Sequence, residues 1–287
     1  MRNVIKIRPT PAHVPSESNE DATIVTAYFD IGTFPKGGYH IKFSNNTYLN
    51  WAARFKYIMN PVIFYTDSKP FADIFSSMRI GLENITKIFI INRNSTWAFQ
   101  RRDKIAAIFK TPGYPKHLPN TVVPEYACAQ FAKYDVISRA AKENIFQTKY
   151  YMWLDIGYFR DRLTTDKCIL EKPKDFNDSR IAMNLVYFNR NMSASPQNIF
   201  KQNIVWVGGG LVFGERNLVI QYDKQFMKAV DYFISIGLMN TDQQVTYGMF
   251  SDAGRKALNP EIELHVHKPE HEYGWFDLGF KMLRTIK

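Results

Sequence analysis

Two kinds of apolar pattern alternate along the first hundred residues. Ala22–Phe29, Val62–Asp67 and Thr86–Ile91 are short runs with the length and continuity of strands buried on both faces. Between them, Tyr48–Tyr57, stopped by Pro61, and Pro70–Met78 repeat their apolar positions at helical spacing. Strands alternating with helices predict a mostly parallel sheet covered on both faces. Further along, residues 97–110 read as helical and 111–124 as a proline-rich loop. Glu125–Asn144 reads as a long amphipathic helix, with Ala127, Phe131, Tyr134, Ile137 and Ala141 on its apolar side. Lys149–Asp155 is an aromatic strand ending on an acid. Residues 165–203 are weakly patterned and polar, and no element is predicted there. Asn203–Gly214 reads as a strand pair or bend broken by glycines, Asn217–Ile236 and Thr241–Phe250 as helices, and the tail carries an alternating His265-x-His267. Residues 1–21, with Pro9, Pro11 and Pro15, read as an irregular lead-in. No linker divides the remainder, so residues 22–287 are expected to form one domain.

In such sheets ligands bind beyond the carboxyl ends of the strands. Thr26, Ala27, Tyr28 and Asp67 are therefore expected to face a common crevice. The segment Trp153–Arg160 delivers Asp155 to the same edge, where a carboxylate suits a hard cation such as Mg²⁺ or Mn²⁺ and Gly157 permits close approach. Asp155 could equally cap the following turn. Thr241-Asp242-Gln243-Gln244 fits a capping box, or places Asp242 and Gln243 against a sugar. His265 and His267 share one strand face, suited to a metal contact or to a solvated edge. The glycines at 208–210 allow a ligand to approach or mark a bulge, and lack Rossmann or Walker spacing. Lys133 and Arg139 on the long helix suit a phosphate or an ordinary solvated charge.

Composition narrows the classes. Hydrophobic residues at 45% and charged residues at 22% are globular values. The mean hydropathy of -0.30 and the lack of a ~20-residue apolar run predict no spanning helix. The first residues carry no apolar stretch, from which a cytoplasmic location is expected. Cys128 and Cys168 lack metal or redox spacing and read as buried thiols. The net charge of +10 points to anionic partners, but the basic residues are scattered, with no arm or recognition signature, so no nucleic-acid partner is expected.

Taken in order, the segments Ile24–Phe29, Tyr48-Leu49-x-Trp51, Pro61–Asp67, Gln130–Lys133, Asn144–Phe146, Trp153–Gly157, Gly209-Gly210-x-x-Phe213-Gly214 and Asp242-Gln243 resemble the HtrL/YibB family, which is glycosyltransferase-like. More distantly, the layout is similar to the glycogenin-type glycosyltransferases of GT-A fold. The resemblance implies a Rossmann-like, mixed, mostly parallel α/β sheet. It also implies transfer of a sugar from a nucleotide-sugar donor to a glycan or other acceptor. It implies Mn²⁺ or Mg²⁺ on the donor diphosphate, held by Asp155 with His265 or His267. Thr26, Ala27, Tyr28, Asp67, Gly209 and Gly210 would line the donor site, Lys133 and Arg160 would face phosphates, and Asp242 and Gln243 would orient the reacting sugar. Gly157 stands where that family's motif has its second acid, which leaves open metal-independent transfer with basic residues neutralising the diphosphate. The alternative is a protein of the same fold that binds nucleotide-sugar or glycan without turning it over.

Overall fold

The computed structural model describes residues 22–38, 40–162, 165–188, 191–270 and 274–286, so the expected lead-in over 1–21 lies outside the described residues. Seven strands form one sheet: β1 (Ala22–Tyr28), β2 (Val62–Thr66), β3 (Thr86–Ile90), β4 (Tyr150–Leu154), β5 (Ile181–Leu185), β6 (Val207–Glu215) and β7 (Leu264–His267). Their spatial order is β7-β5-β6-β4-β1-β2-β3. Only β6 runs antiparallel to its neighbours, β4 and β5, and the remaining pairings are parallel. This is the mixed, mostly parallel α/β sheet that the pattern predicts.

The helices are α1 (Asn45–Ala52), α2 (Lys69–Met78), α3 (Arg102–Lys110), α4 (Pro124–Glu143), α5 (Pro196–Lys201), α6 (Arg216–Ser235), α7 (Asp242–Phe250), α8 (Asp252–Leu258) and α9 (Asp277–Met282). Local chemistry sets their ends. Ser68 caps α2 by accepting from the Phe71 N–H, and Pro124 opens α4 where no N–H is needed. Asn144 takes the left-handed conformation that stops α4, with φ 46°. Helices cover both faces. Phe131, Tyr134, Phe226, Phe233 and Phe250 pack against one face of the sheet, and Phe55, Phe71, Phe75 and Leu278 against the other.

Two expectations change. Residues 203–214 do not form a strand pair: β6 is one strand, but its pairing with β5 shifts between Met183–Val212 and Asn184–Gly208, the bulge that the glycines suggested, and side chains from other elements press against Gly209 and Gly210 there. Within the featureless stretch 165–203 lies β5, fully buried. Its sequence, Ile-Ala-Met-Asn-Leu, has a polar residue in the middle, and Asn184 pays its desolvation by donating from Nδ2 to the Gly274 carbonyl at 2.5 Å and accepting from the Leu278 N–H at 3.0 Å.

Candidate functional site

The strand order reverses beside β1, with β2 on one side and β4 on the other, and a crevice opens at the carboxyl ends of β1 and β4. It has two adjoining lobes of about 190 and 510 Å³. Lys36, Tyr126, Gln130, Asp155, Arg160 and Phe276 line both.

The first lobe is walled by aromatic rings. Tyr48 packs at 5.5 Å from Tyr28 and 5.2 Å from Trp51, while Phe34 meets Tyr126 edge-on at 5.3 Å. Burial raises the Tyr28, Tyr48 and Tyr126 phenols above the ordinary tyrosine range, so all three stay neutral donors. Two cations lie over these rings. Lys36 sits 5.4 Å from the Phe43 ring and 5.3 Å from Tyr126, and Arg160 sits 5.3 Å from Trp51 and 4.6 Å from Phe276.

At the floor, three elements bring charge together. Lys133 of α4, 1% exposed, donates from Nζ to the Gly209 carbonyl at 2.7 Å, to Asp242 Oδ2 at 3.0 Å and to Gln130 Oε1 at 3.2 Å. Asp155 Oδ1, at the end of β4, is 3.8 Å from the same ammonium and accepts from Trp153 Nε1 at 2.6 Å. Burial pulls the Lys133 pKa down, but Asp155 and Asp242 outweigh it and hold the ammonium charged. Burial raises the Asp242 carboxyl; Lys133 opposes the rise and Asp155 adds to it. The two acids differ in access: the Asp242 side chain is 3% exposed and that of Asp155 40%. Asp242 also opens α7, where Thr241 and Gln244 form the expected capping box.

The glycines make this convergence possible. A Cβ on Gly209 would fall 1.8 Å from Asp242 Oδ2 and 3.0 Å from Lys133 Nζ. One on Gly157 would fall 2.5 Å from the Trp51 ring. Gly157 therefore makes room for Trp51, and it also lines the first lobe.

Among the residues singled out from sequence, the crevice brings together Ala27, Tyr28, Asp155, Arg160, Gly209, Gly210, Asp242 and Gln243, with Lys133 beneath. Thr26 lies elsewhere: it is fully buried inside the sheet, short of the carboxyl end of β1, where Ala27 and Tyr28 reach the lobe. Asp67 does not line the crevice either. It braces the loop after β1, accepting from the Asp30 N–H at 2.8 Å and pairing with Arg93 at 3.2 Å. Arg139 is spent on Asp135 at 2.7 Å.

The expected metal set is not assembled. His265 and His267 stack at 4.2 Å on one face of β7, as alternation requires, but neither lines the crevice. With Asp175 they form a group whose donor atoms lie within 4.8 Å of one another and could hold a metal ion, the one such group among the described residues. Asp155 is outside it. His265 Nδ1 accepts from the Asn177 N–H at 3.1 Å, so His265 would join an ion in this group only by giving up that bond. In the crevice, Lys133 occupies the cation position beside Asp155. These donors do not fit Mn²⁺ or Mg²⁺, which require several oxygen ligands.

The signal for Asp155 and Asp242 was visible in sequence as charges at element ends, and for Lys133 as a charge on the long helix. Lys36, Tyr48, Trp51, Tyr126 and Phe276 were missed as lining residues, because loops, short helices and the first turn of α4 acquire a common face only through packing.

With the geometry in place, comparison decides the family. The profile described as "Bacterial protein of unknown function (HtrL_YibB)" matches residues 20–278. The chain belongs to the HtrL_YibB family. Protein HtrL of Escherichia coli (strain K12) is 24% identical over 239 residues, covering 78% of this chain and 81% of that protein. Among solved structures, this member of the HtrL_YibB family is similar to mouse xyloside xylosyltransferase 1 in its apo form. The identity is 10% and the TM-score 0.37, over 86% of this chain and 85% of the other.

Proposed function

We propose that this crevice binds a nucleoside diphosphate sugar and transfers the sugar to an acceptor hydroxyl. The observation that carries the reading is the convergence of Lys133, Asp155 and Asp242 at the carboxyl ends of β1 and β4, beneath an aromatic lobe with two cations at its edge. The aromatic lobe suits a nucleoside base, which stacks on Tyr or Trp faces. Lys36 and Arg160 stand where the two lobes meet and suit the diphosphate. Arg160 presents a planar fork of donors, and Lys36 a mobile point charge.

In the reaction, the bond between the anomeric carbon and the diphosphate oxygen breaks, and a bond to the acceptor oxygen forms. The diphosphate leaves with the electron pair, and Lys36 and Arg160 meet the charge that develops on it. Asp155, the accessible carboxylate, takes the acceptor's proton. Lys133 and Asp242 act as positioning residues, holding Asp155 and the β6 backbone in place. The crevice's own cations, Lys36 and Arg160, take the part of a divalent ion in this transfer.

The test is turnover across a panel of nucleotide sugars in the presence of EDTA, with oligosaccharide acceptors. At least one donor is expected to be hydrolysed or transferred, and Asp155→Asn to lower kcat by at least ~100-fold, a general-base effect. Tight donor binding without turnover would make the protein a binding module. Absence of both binding and turnover would end the reading.

A further inference from the structure

The second lobe ends in exposed aromatic rings that the donor site does not use. Tyr187 is 56% exposed and Trp275 39%, with their rings edge-to-face at 6.3 Å, and both line this lobe. Rings left in water at the mouth of a cavity mark a partner. The platform is also built to stay in place. Asn184, buried in β5, holds the Gly274 carbonyl next to Trp275, and the Trp275 ring packs beside Gly208 of β6, 3.7 Å from where a Cβ would stand. Across the lobe stand amide side chains: Asn120, which donates to Asn203 Oδ1 at 3.0 Å, and Gln243, whose side-chain amide makes no hydrogen bond among the described residues.

A flat apolar face opposite a row of neutral amides is what a pyranose ring needs. Its C–H face covers the aromatic rings, and its equatorial hydroxyls exchange hydrogen bonds with amides that act as both donor and acceptor. An apolar peptide would leave the amides unpaired, a cost of about 1–3 kcal/mol for each group buried. A second nucleotide would compete with the donor for Lys36 and Arg160, which line both lobes, and would bring negative charge toward Asp155 and Asp242.

We infer that the Tyr187–Trp275 platform with Asn120, Asn203 and Gln243 is the acceptor subsite and takes a neutral oligosaccharide. This rests on the proposed transfer reaction and names the substrate class of the same crevice. The experiment uses the full chain in two separate binding measurements: a panel of immobilised neutral di- to tetrasaccharides, and nucleoside diphosphates by calorimetry. Some members of the panel are expected to bind and to alter tryptophan fluorescence. Trp275→Ala and, at the more exposed of the two rings, where truncation leaves the core untouched, Tyr187→Ala should each weaken that binding by about tenfold. Nucleoside diphosphate affinity should stay unchanged in both. Nucleotide binding with no saccharide binding, or with saccharide binding indifferent to both substitutions, would overturn the acceptor subsite while leaving the donor site standing. Saccharide binding that depends on both rings, with no nucleotide binding, would support the subsite and overturn the donor reading.

Discussion

Lys133 is the residue on which the floor of the crevice depends. Its ammonium is out of water, so its charge is maintained by Asp242 and Asp155 alone. Removing it leaves Asp242 buried without a counter-charge. Lys133→Met should therefore destabilise the fold by about 3–5 kcal/mol, and adding Asp242→Asn should recover much of the loss, since the unpaired carboxylate goes with it. Urea denaturation of the three variants checks this; equal midpoints would contradict it. A second buried acid behaves differently. Burial pushes Asp223 up to about 6, although Trp97 Nε1 donates to its carboxyl at 3.0 Å; nearby Asp135 raises it further and Lys142 lowers it. A folded pKa above the unfolded one means that the folded state binds more protons between about 4 and 6. Asp223 thus adds stability at low pH that is lost as pH rises through about 6. Asp223→Asn keeps an acceptor for Trp97 Nε1 and should raise Tm at pH 7 by about 2–4 °C for each kcal/mol gained, and by less at pH 4. A fall in Tm at pH 7 would show that the carboxylate is stabilising.

At the scale of elements, β6 is the clearest case of side chains shaping a strand from outside. Gly209→Ala would drive a methyl into Asp242 Oδ2 and separate the Lys133–Asp242 pair. It should cost several kcal/mol, of the order found for breaking a buried pair, and abolish ligand binding. Gly237→Ala, at φ 71° with nothing within 4 Å, should cost only about 1 kcal/mol. Denaturation midpoints of the two variants separate a packing cost from a backbone cost. The same strand shows what sequence can and cannot convey. The buried strands β1, β2 and β4 and the long helices were legible because period and apolar content agree with their burial. Strand β5 was not, because Asn184 interrupts its apolar run and its hydrogen-bond partners lie about 90 residues away. The glycines of β6 suggested a break because nothing local reveals Asp242 or Lys133 lying against them. For the site, Asp155 and Asp242 were legible as charges at the ends of regular elements, and Lys133 as a charge within the long helix. Thr26 stands too far inside β1 to reach the crevice, and Asp67 is turned to the loop it braces. The histidine pair was read correctly as sharing a face, but β7 lies at the far edge of the sheet from β1, outside the crevice.

At the scale of the whole molecule, the net charge of +10 has a consequence that single residues do not. A field of that sign draws in an anionic ligand, and salt weakens it. Association with a nucleoside diphosphate should slow as ionic strength rises from 0.05 to about 0.5 M, and stopped-flow measurement should find the change mainly in the on-rate. The central claim is that the crevice holds a nucleoside diphosphate with its own cations, Lys36 and Arg160. Calorimetric titration of a nucleoside diphosphate panel, in EDTA and again with Mn²⁺, tests it most directly. The account predicts at least one ligand whose affinity agrees within about twofold between the two conditions and falls by tenfold or more in Arg160→Ala, a loss of ~1.4 kcal/mol or more. Binding that appears only with Mn²⁺, or no binding by any member of the panel, would contradict it.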